Sequence, residues 1–524
     1  MTDLQGKTGL CTGAESLINA LARHGVDACF ANPGTSEMQL VAALDKQPRI
    51  RAVLCLFEGV VTGAADGYGR MADKPALTLL HLGPGFANGM ANLHNAQRAG
   101  SPILNMVGDH ATDHLQHDAP LTSDIKGMAT PVSRPFRVSH SATGLAQTGL
   151  DALADSLKNN GSVSTFVVPA DHAWGDIDEP TSVMPDTPRA TVPDTTIGEI
   201  AAQLRSASNS CLFLGGRTLR EDALQQAGRI AAATGCRLVT ETFFARQARG
   251  VGRVPTERLA YFGEAATEQL AGIDLLVLAG TKAPVSFFAY PNKPSVLAPE
   301  TAIQCTLVDR DSDALDALKR LADYLDAPAT PEVVTDHADY SLANGAIDAN
   351  VLGKVIANRL PEQAIVCDEG ATNGLGAFLL TANAAPHDWL TLTGGAIGQG
   401  LPLAVGAAIA CPDQKVIALE ADGSGMYTVQ ALWTMVREQL DVTVVLLNNR
   451  SYAILNIELS RVGVEQPGPT ALSLLDLSNP DLEWADIARG MGMNAVTVED
   501  IRALDEAMAE AMATKGPCLI EVII

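Results

Sequence analysis

Two short polar motifs, Asp422-Gly423 and Asn448-Asn449, could bind a metal ion and a phosphate group. Each motif follows an apolar run, at residues 415–419 and 442–447, that predicts a buried strand. The segment between them, at about 428–439, predicts a crossover helix, and a βαβ unit places both strand ends at the same edge of a sheet. We therefore expect Asp422 and Asn449 to project into one crevice.

The chemistry expected of this crevice is the binding of Mg²⁺ and a phosphate group. Carboxylate and amide oxygens are hard ligands, which Mg²⁺ prefers, and the ion usually also contacts phosphate oxygens. Gly423 and Gly425 would let backbone N–H groups approach a phosphate at the start of the helix. The alternative interpretation is that both motifs are ordinary turns.

Glu58 is a carboxylate that directly follows the apolar segment Leu54-Cys-Leu-Phe57. A buried carboxylate without a partner is destabilising, so its position needs a reason. Considered alone, a glutamate here is more often a charge at a helix N-terminus that interacts favourably with the helix dipole.

Further candidate residues lie in three other segments. Residues 393–402 read Thr-Gly-Gly-Ala-Ile-Gly-Gln-Gly-Leu-Pro and predict a glycine-rich turn before a helix. Thr35 lies in the turn Asn32-Pro-Gly-Thr-Ser-Glu37, and His81 follows a predicted strand, where a single histidine is more often structural. The spacing of His110, His114 and His117 has three interpretations: a zinc site on a helix, a polar loop that supplies a proton at an active site, or a solvated loop.

The elements that must position these residues alternate between short apolar runs and amphipathic stretches, which is typical of parallel sheets built from βαβ units. We predict an α/β fold of three doubly wound parallel-sheet domains. Helices are expected at 15–24 and 59–71. Strands are expected at 28–30, 51–57, 76–82, 103–107, 165–168, 211–214, 237–240, 275–279, 303–308, 364–367, 415–419 and 442–447. Polar stretches at 176–196 and 326–339 predict linkers, so the expected domains are 1–180, 190–335 and 345–524.

Composition narrows the function classes. The 524 residues are 47% hydrophobic and carry a formal net charge of −24, which favours a globular protein and argues against binding to nucleic acid or to an anionic membrane. No run of 18 apolar residues predicts a membrane span, and Met1 to Lys7 lacks the apolar segment of a signal peptide. Nine scattered cysteines without a Cys-x-x-Cys motif favour reduced, buried thiols in a cytoplasmic protein.

The 24 residues between Asp422-Gly423 and Asn448-Asn449 give a pattern that resembles the cofactor signature of thiamine diphosphate-dependent enzymes. The family usually has Gly-Asp-Gly, and Ala421 replaces the first glycine here. The resemblance extends over nearly the whole chain in the same domain order, and it is similar to the branch of benzoylformate decarboxylase and the acetolactate synthase large subunit. It implies a pyrimidine-binding domain, a central domain and a diphosphate-binding domain, in that order.

The resemblance also implies residues for the cofactor diphosphate and Mg²⁺. The implied set is Asp422, Gly423, Ser424, Asn449, Ser451 and Tyr452. Within it, Asp422, the side chain of Asn449 and the backbone carbonyl of Ser451 would be the metal ligands. These expectations cover one end of the cofactor.

At the other end, Glu58 matches the glutamate that hydrogen-bonds N1′ of the aminopyrimidine and so favours the 4′-imino tautomer. An apolar site would help this carboxyl to hold a proton. Gly395 would accept the pyrimidine amino group through its carbonyl, and Ile397 would support the V-shaped cofactor. On the substrate side, the resemblance implies that Thr35 meets the substrate carboxylate and that His81 is an active-site histidine.

Two departures from the family pattern bear on the reaction. Ala289 stands where the decarboxylase has a second histidine, so protonation would need another donor. Residues 118–124 lack the Phe-Gln-Glu motif of the acetolactate synthase branch. Neither activity is therefore supported by all of its specific residues.

The resulting hypothesis is a thiamine diphosphate- and Mg²⁺-dependent 2-oxo acid decarboxylase or carboligase, whose C2-enamine is protonated to an aldehyde or added to a second carbonyl. The alternatives are an acetolactate synthase-type transferase that condenses 2-oxo acids, an FAD-assisted pyruvate oxidase and a non-catalytic cofactor-binding protein. The sequence has no Gly-x-Gly-x-x-Gly after a strand, but the family binds FAD differently. The resemblance implies a homodimer or homotetramer with active sites between subunits.

Overall fold

A computed structural model describes residues 10–178 and 181–524 of the chain. The N-terminal residues 1–9 and the part of the predicted linker at 179–180 lie outside the described residues. The strands are β1 Cys11–Thr12, β2 Ala28–Asn32, β3 Arg51–Leu54, β4 Ala76–Leu80, β5 Ile103–Asp109, β6 Phe136–Val138, β7 Val163–Pro169, β8 Asp176–Ile177, β9 Ser210–Leu214, β10 Arg237–Thr240, β11 Gln247–Arg249, β12 Glu257–Arg258, β13 Leu275–Ala279, β14 Ile303–Val308, β15 Ala364–Glu369, β16 His387–Thr391, β17 Val416–Ala421, β18 Val442–Asn448, β19 Asn494–Val498 and β20 Cys518–Ile523.

The helices alternate with these strands. They are α1 Gly13–Arg23, α2 Met38–Asp45, α3 Glu58–Ala72, α4 Leu82–Ala99, α5 Ile125–Ala129, α6 Leu145–Leu157, α7 Ala170–Trp174, α8 Asp194–Ser206, α9 Glu221–Thr234, α10 Gly263–Gln269, α11 Ala314–Tyr324, α12 Ala349–Arg359, α13 Ala371–Leu380, α14 Gly400–Ala410, α15 Asp422–Gly425, α16 Ala431–Arg437, α17 Ala453–Arg461, α18 Pro469–Ser473, α19 Trp484–Gly490 and α20 Ile501–Ala513. Short 3₁₀ turns occur at Thr35–Glu37, Leu115–His117 and Met426–Thr428, among others.

One compact unit comprises the chain up to Pro188 together with Gly394–Cys411. Its six-stranded sheet is parallel throughout, in the order β3-β2-β4-β5-β7-β6. Within this unit α3 and α14 approach closely, because a Cβ on Gly67 would lie 2.1 Å from the carbonyl oxygen of Leu403 and one on Gly406 would lie 1.8 Å from that of Ala64. Glycine is therefore required at this helix crossing.

The second compact unit comprises Arg189–Thr393 and Pro412–Ile524 and contains two sheets. The five-stranded sheet is parallel, in the order β12-β10-β9-β13-β14. The seven-stranded sheet has the order β11-β16-β15-β17-β18-β20-β19 and is parallel except at its edge, where β11 pairs antiparallel with β16. Its interior strand β18 is buried at every position, as expected of a sheet covered on both faces.

The predicted α/β fold with several parallel-sheet domains is confirmed. The strands expected at 51–57 and 76–82 end earlier, at Leu54 and Leu80, because α3 begins at Glu58 and α4 begins at Leu82. The crossover helix expected at 428–439 is also wrong in detail. Within this range only α16, Ala431–Arg437, is α-helical, and a 3₁₀ turn that ends at Thr428 precedes it. Thr428 and Val429 are β-branched and have low helix propensity.

The predicted domain boundaries stay a prediction. One strand does differ from the expected division, since β11 lies within residues 190–335 but joins the sheet formed by the third segment. No helix within residues 10–178 and 181–524 is long and apolar enough to cross a membrane. No disulfide joins cysteines of the described chain, in which five thiols are buried and four are half-buried.

Candidate active site

Asp422 begins α15 directly after β17 and is 2% exposed. Its carboxylate accepts hydrogen bonds from the backbone N–H groups of Gly423 at 2.9 Å and Arg450 at 2.7 Å. Burial raises the pKa of Asp422, while these N–H groups act in the opposite direction. In the described part of the chain no Lys, Arg or His side chain pairs with this carboxylate. Its charge is therefore available to a cation.

Asn449 follows the neighbouring strand β18, and its side-chain oxygen accepts the N–H of Ser451 at 3.0 Å. Because Arg450 donates to Asp422, the structure brings the ends of β17 and β18 together as the sequence predicted. The loop is fixed by backbone hydrogen bonds to a later segment, from Tyr452 N to Leu475 O and from Leu477 N to Arg450 O, both at 2.9 Å. Asn449 and Ser451 thus sit in a well-braced turn.

The structure explains on steric grounds why positions 423 and 425 are glycine, which the sequence alone did not show. A Cβ on Gly423 would lie 2.4 Å from Cε1 of Tyr452, and one on Gly425 would lie 2.8 Å from Cη2 of Trp484. The N–H of Gly423 also donates to Asp422, so in this structure it does not point to an open phosphate site. The glycines therefore let two aromatic rings pack against the start of α15.

A pair of buried carboxyls lies behind this turn and was missed in the sequence. Glu369 on β15 and Glu420 on β17 are register partners, and both are at least 96% buried. Burial, followed by the charge of Glu369, raises the pKa of Glu420 well above its usual range, because two adjacent buried carboxyls cannot both ionise. Ser424 donates its hydroxyl to Glu420. The pair thus braces one residue of the predicted cofactor set.

Glu58 is the first residue of α3 and is 7% exposed. Its two carboxylate oxygens accept hydrogen bonds from the side-chain amides of Asn32 at 3.1 Å and Asn88 at 2.9 Å. The surroundings of this carboxylate are therefore not apolar alone, because two amide donors face it. Gly85 adds to the enclosure, since a Cβ there would lie 3.2 Å from Oε1 of Glu58.

His81 lies between β4 and α4 and forms a close polar cluster with Glu37, for which the sequence predicted no role. Its Nδ1 lies 2.8 Å from Oε2 of Glu37, which is fully buried, and 3.3 Å from the hydroxyl of Ser36. Glu37 also accepts the N–H of Gly34 at 2.8 Å and the hydroxyl of Ser36 at 2.7 Å. Thr35 is exposed at the start of the same 3₁₀ turn. The histidine is thus paired to a carboxylate.

Comparison with known proteins assigns the family of this chain. Residues 11–128 match the thiamine pyrophosphate enzyme N-terminal TPP binding domain, and residues 368–522 match the C-terminal TPP binding domain. A Mycobacterium tuberculosis protein with the name "Putative acetolactate synthase large subunit IlvX" is 48% identical over 98% of this chain and 99% of its own length. The chain belongs to the thiamine diphosphate-dependent enzymes.

A further relative and a solved structure are less similar to this thiamine diphosphate-dependent enzyme. Benzoylformate decarboxylase from Pseudomonas aeruginosa is 26% identical over 96% of this chain and 97% of its own length. The solved structure of a 4-hydroxybenzoylformate decarboxylase from Rhodococcus jostii has a TM-score of 0.85 at 22% identity and covers 98% of this chain and 99% of its own. That structural likeness supports the same fold.

In this thiamine diphosphate-dependent enzyme, residues 394–402 of the glycine-rich turn lie in the same compact unit as Glu58. Gly395 is exposed and has φ +75°, a left-handed conformation that favours glycine, and Ile397 is half-buried. Gln399 donates to the buried carboxylate of Asp66 at 2.6 Å. The turn that carries Gly395 and Ile397 is therefore tied to α3.

The loop after β5 does not support the zinc interpretation. Among residues 10–178 and 181–524, no group of three or more His, Cys, Asp or Glu side chains has the arrangement of a metal site. The rings of His110 and His114 lie 5.4 Å apart, and those of His114 and His117 lie 5.7 Å apart. His114 and His117 are exposed, so the proton-donor and solvated-loop interpretations remain.

Ala289, which replaces the second histidine of the decarboxylase, is exposed in an irregular segment. The next residue, Tyr290, donates its hydroxyl to Glu458 on α17 at 2.6 Å. Phe287 and Phe288 are 44% and 53% exposed, and their rings lie 4.9 Å apart. This position thus offers aromatic surface in place of a proton donor.

Proposed function

We propose that this chain is a thiamine diphosphate- and Mg²⁺-dependent enzyme that decarboxylates a small 2-oxo acid and releases an aldehyde or joins the acyl unit to a second carbonyl. The proposed Mg²⁺ site rests on a single observation. The carboxylate of Asp422 is buried and has no cationic side chain as partner in the described chain. An oxygen-rich crevice with an unbalanced negative charge suits Mg²⁺ bound to a diphosphate.

The residues fit the proposed groups. Asp422, the side-chain oxygen of Asn449 and the carbonyl of Ser451 would hold Mg²⁺, with Gly423, Ser424 and Tyr452 beside the diphosphate. Family membership alone does not assign these roles to individual residues, so the roles are part of the proposal. Asp422 and Asn449 lie at the ends of paired strands, where oxygen ligands on a βαβ unit can converge.

At the pyrimidine end, Glu58 would hold a proton toward N1′, and the carbonyl of Gly395 would accept the amino group. The two amides on Glu58 fix the direction of its carboxylate, which is what an acid–base group at one ring nitrogen needs. Ile397 would support the bent cofactor. When bound, thiamine diphosphate supplies a thiazolium carbon that attacks the ketone and accepts the electron pair left by CO₂.

On the substrate side, His81 would hold or release a proton next to the substrate carboxylate, and Glu37 would orient the imidazole. The 2.8 Å contact between Nδ1 and the buried Glu37 carboxylate supports this arrangement, because it fixes the ring and leaves Nε2 for the reaction. Thr35 would meet the substrate carboxylate. Since Ala289 supplies no proton, addition to a second carbonyl would compete with protonation.

A second candidate is an acetolactate synthase-type transferase that condenses two 2-oxo acids. Ala289 favours this candidate, because alanine cannot donate a proton. A site with one proton donor fewer protonates the acyl unit more slowly, which leaves more time for its addition to a second 2-oxo acid. An FAD-assisted oxidase is the third candidate, and the flavin absorbance of the purified protein distinguishes it. A homodimer or homotetramer with shared active sites is part of the proposal, and sedimentation tests it.

A panel of 2-oxo acids tests the proposal. The apo-protein is incubated with each acid, with and without thiamine diphosphate and Mg²⁺, and CO₂, aldehydes and condensation products are measured. We expect CO₂ only with both added groups, and pyruvate alone as a substrate would favour the transferase. Glu58→Gln should lower the rate by about 10²–10⁴-fold, whereas the exposed Glu362→Gln should not change it. CO₂ release that is independent of thiamine diphosphate would refute the proposal.

A further inference from the structure

Strand β18 ends at Asn448, and residues 449–451, which we call the metal loop, follow it and carry two of the proposed metal ligands. Asn448 itself is 3% exposed and has no role in the proposed function. Its side-chain amide donates to the carboxylate of Glu521 at 2.7 Å and to the carbonyl of Leu482 at 3.5 Å. Its side-chain oxygen accepts the N–H of Arg450 at 3.3 Å. Asn448 therefore joins a buried carboxylate to the metal loop.

Glu521 lies on β20, which pairs with both β18 and β19, and it is 4% exposed. Its Oε1 accepts the amide of Asn448, and its Oε2 accepts the backbone N–H of Ala485 at 3.1 Å and the hydroxyl of Thr497 at 2.9 Å. Asn448 ends β18, Ala485 lies at the start of α19 and Thr497 lies on β19. One buried carboxylate thus holds elements together that are separate in the chain.

The start of α19 contacts the helix that carries the first proposed ligand. Trp484, the residue before Ala485, is fully buried, and its ring packs against Gly425 in α15, where a Cβ would lie 2.8 Å from Cη2 of the ring. Helix α15 begins with Asp422. Glu521 therefore supports both the metal loop and α15, and all of these residues belong to the second compact unit.

The orientation of the Asn448 amide decides whether the metal loop is held. The N–H of Arg450 donates to the carboxylate of Asp422 at 2.7 Å and to the side-chain oxygen of Asn448 at 3.3 Å. An NH₂ group in place of that oxygen would face another donor. Because an ionised carboxylate is an acceptor only, Glu521 keeps the NH₂ of Asn448 on its own side and the oxygen toward Arg450. An amide of the same size at position 521 could not do this without placing two donors together.

We propose that Glu521 and Asn448 are positioning residues for the metal site, which hold the metal loop against Asp422 so that the proposed ligand oxygens converge on one Mg²⁺. This inference rests on the proposed roles of Asp422, Asn449 and Ser451. Neither Glu521 nor Asn448 needs to touch the metal ion or the cofactor. Outer partners of this kind orient the ligands, and their loss typically lowers metal affinity about 10–100-fold.

The test uses Glu521→Gln, which keeps the size of the side chain and replaces one acceptor oxygen by an NH₂ group. Both oxygens of Glu521 accept donors, so the new amide must face a donor unless Asn448 turns its NH₂ toward Arg450. Adding Asn448→Asp should rescue this variant, because a carboxylate at position 448 can accept both the new amide and the N–H of Arg450. Recovery in the double variant therefore separates positioning through this link from a general loss of stability.

Lys415→Met is the matched control, because it removes buried hydrogen bonds at the opposite end of β17. Lys415 directly precedes this strand, is 9% exposed and donates to the carbonyls of Ala511 at 2.9 Å and Thr514 at 2.8 Å. Backbone amide hydrogen exchange in 450–452 and the affinity for Mg²⁺-pyrophosphate are measured in each apo-protein. The denaturation midpoint follows, and then kcat and KM with thiamine diphosphate.

In Glu521→Gln we expect exchange in 450–452 to rise at least about tenfold and the affinity for Mg²⁺-pyrophosphate to fall about 10–100-fold. The double variant should recover both values to within about threefold of the wild-type protein. Lys415→Met should leave both unchanged even if its denaturation midpoint falls. Wild-type affinity in Glu521→Gln, no recovery in the double variant, or an equal loss in Lys415→Met would overturn the inference.

If Glu521→Gln does not fold, Asn448→Ser replaces it with the same expected losses, because a serine hydroxyl is too short to join Glu521 to Arg450. Failure of the wild-type protein to bind Mg²⁺-pyrophosphate and thiamine diphosphate would instead overturn the proposed function. Exchange in the variants would still decide whether Glu521 holds the metal loop.

Discussion

The guanidinium carbon of Arg249 lies 3.7 Å from the centre of the Phe378 ring, and the same guanidinium donates to the Phe378 carbonyl at 2.7 Å. A second guanidinium, that of Arg258, lies 4.7 Å from this ring. Burial lowers the pKa of Arg249 to about 9. Two desolvated cations therefore share the Phe378 ring, in addition to longer contacts of Arg249 with Trp389 and of Arg258 with Phe244.

Phe378→Leu should consequently destabilise the second compact unit by about 2–4 kcal/mol, because it removes two cation–π contacts as well as ring volume. Phe213→Leu is the control, since that ring is also buried in the same unit and has no guanidinium neighbour in the described chain. Chemical denaturation followed by tryptophan fluorescence provides the comparison. Equal losses in the two variants would show that the cation–π contacts contribute nothing.

Glu241 should make stability depend on pH. Burial raises the pKa of Glu241 to about 7, although Thr281 donates to its carboxylate at 2.8 Å. Between pH 4.5 and 7 the folded state keeps a proton that the unfolded state has lost, so stability falls as the pH rises through this window and is level above it. Glu241→Gln should remove this fall, which is at most about 3 kcal/mol. Denaturation midpoints at pH 5 and pH 8 test it, and parallel pH dependence in both proteins would contradict it.

Gly34→Ala should disable the site without unfolding the protein. A Cβ on Gly34 would lie 2.2 Å from Nδ1 of His81, so the imidazole must move away from Glu37. The backbone of Gly34 is extended and accepts alanine without strain. We expect kcat to fall about 10²-fold with an unchanged melting temperature. Gly468→Ala, which meets no atom within 4 Å, is the control, and a wild-type kcat in Gly34→Ala would refute the role of His81.

The loop histidines are tested by two single variants. If His114 or His117 supplies the proton that Ala289 does not, each alanine variant should alter the pH–rate profile and shift products from aldehyde toward condensation. The exposed His140→Ala should leave both unchanged. Product ratios by gas chromatography and rates from pH 5 to 9 are the measurements. If both variants keep the wild-type pH–rate profile, neither histidine donates the proton, and the solvated-loop interpretation is the one that remains.

The strand ends could be predicted from the sequence because their causes are local. An apolar run followed by Asp422-Gly423 predicts both the strand and the position where it ends. The pairing of β17 with β18 then follows from the short connection. The same reasoning predicted a strand before Glu58 and a helix from Gly59, and the helix begins one residue earlier, at Glu58.

The partners of these residues could not be predicted, because they come from distant parts of the chain. Glu37 and His81 are 44 residues apart, and no local pattern links them. Asn448 and Glu521 are 73 residues apart. Glu37 could still have been predicted to have a polar partner, because it is a carboxylate in a tight turn next to the candidate residue Thr35.

Strand β11 has a consequence for any attempt to divide this chain. It supplies the hydrogen bonds along one side of β16, although it comes from the segment before α10. A fragment that begins at residue 345 would lack it, and the backbone of His387–Thr391 would present an open edge to other molecules. Such a fragment should self-associate through strand addition, so the last third of this polypeptide is not an independently transferable module.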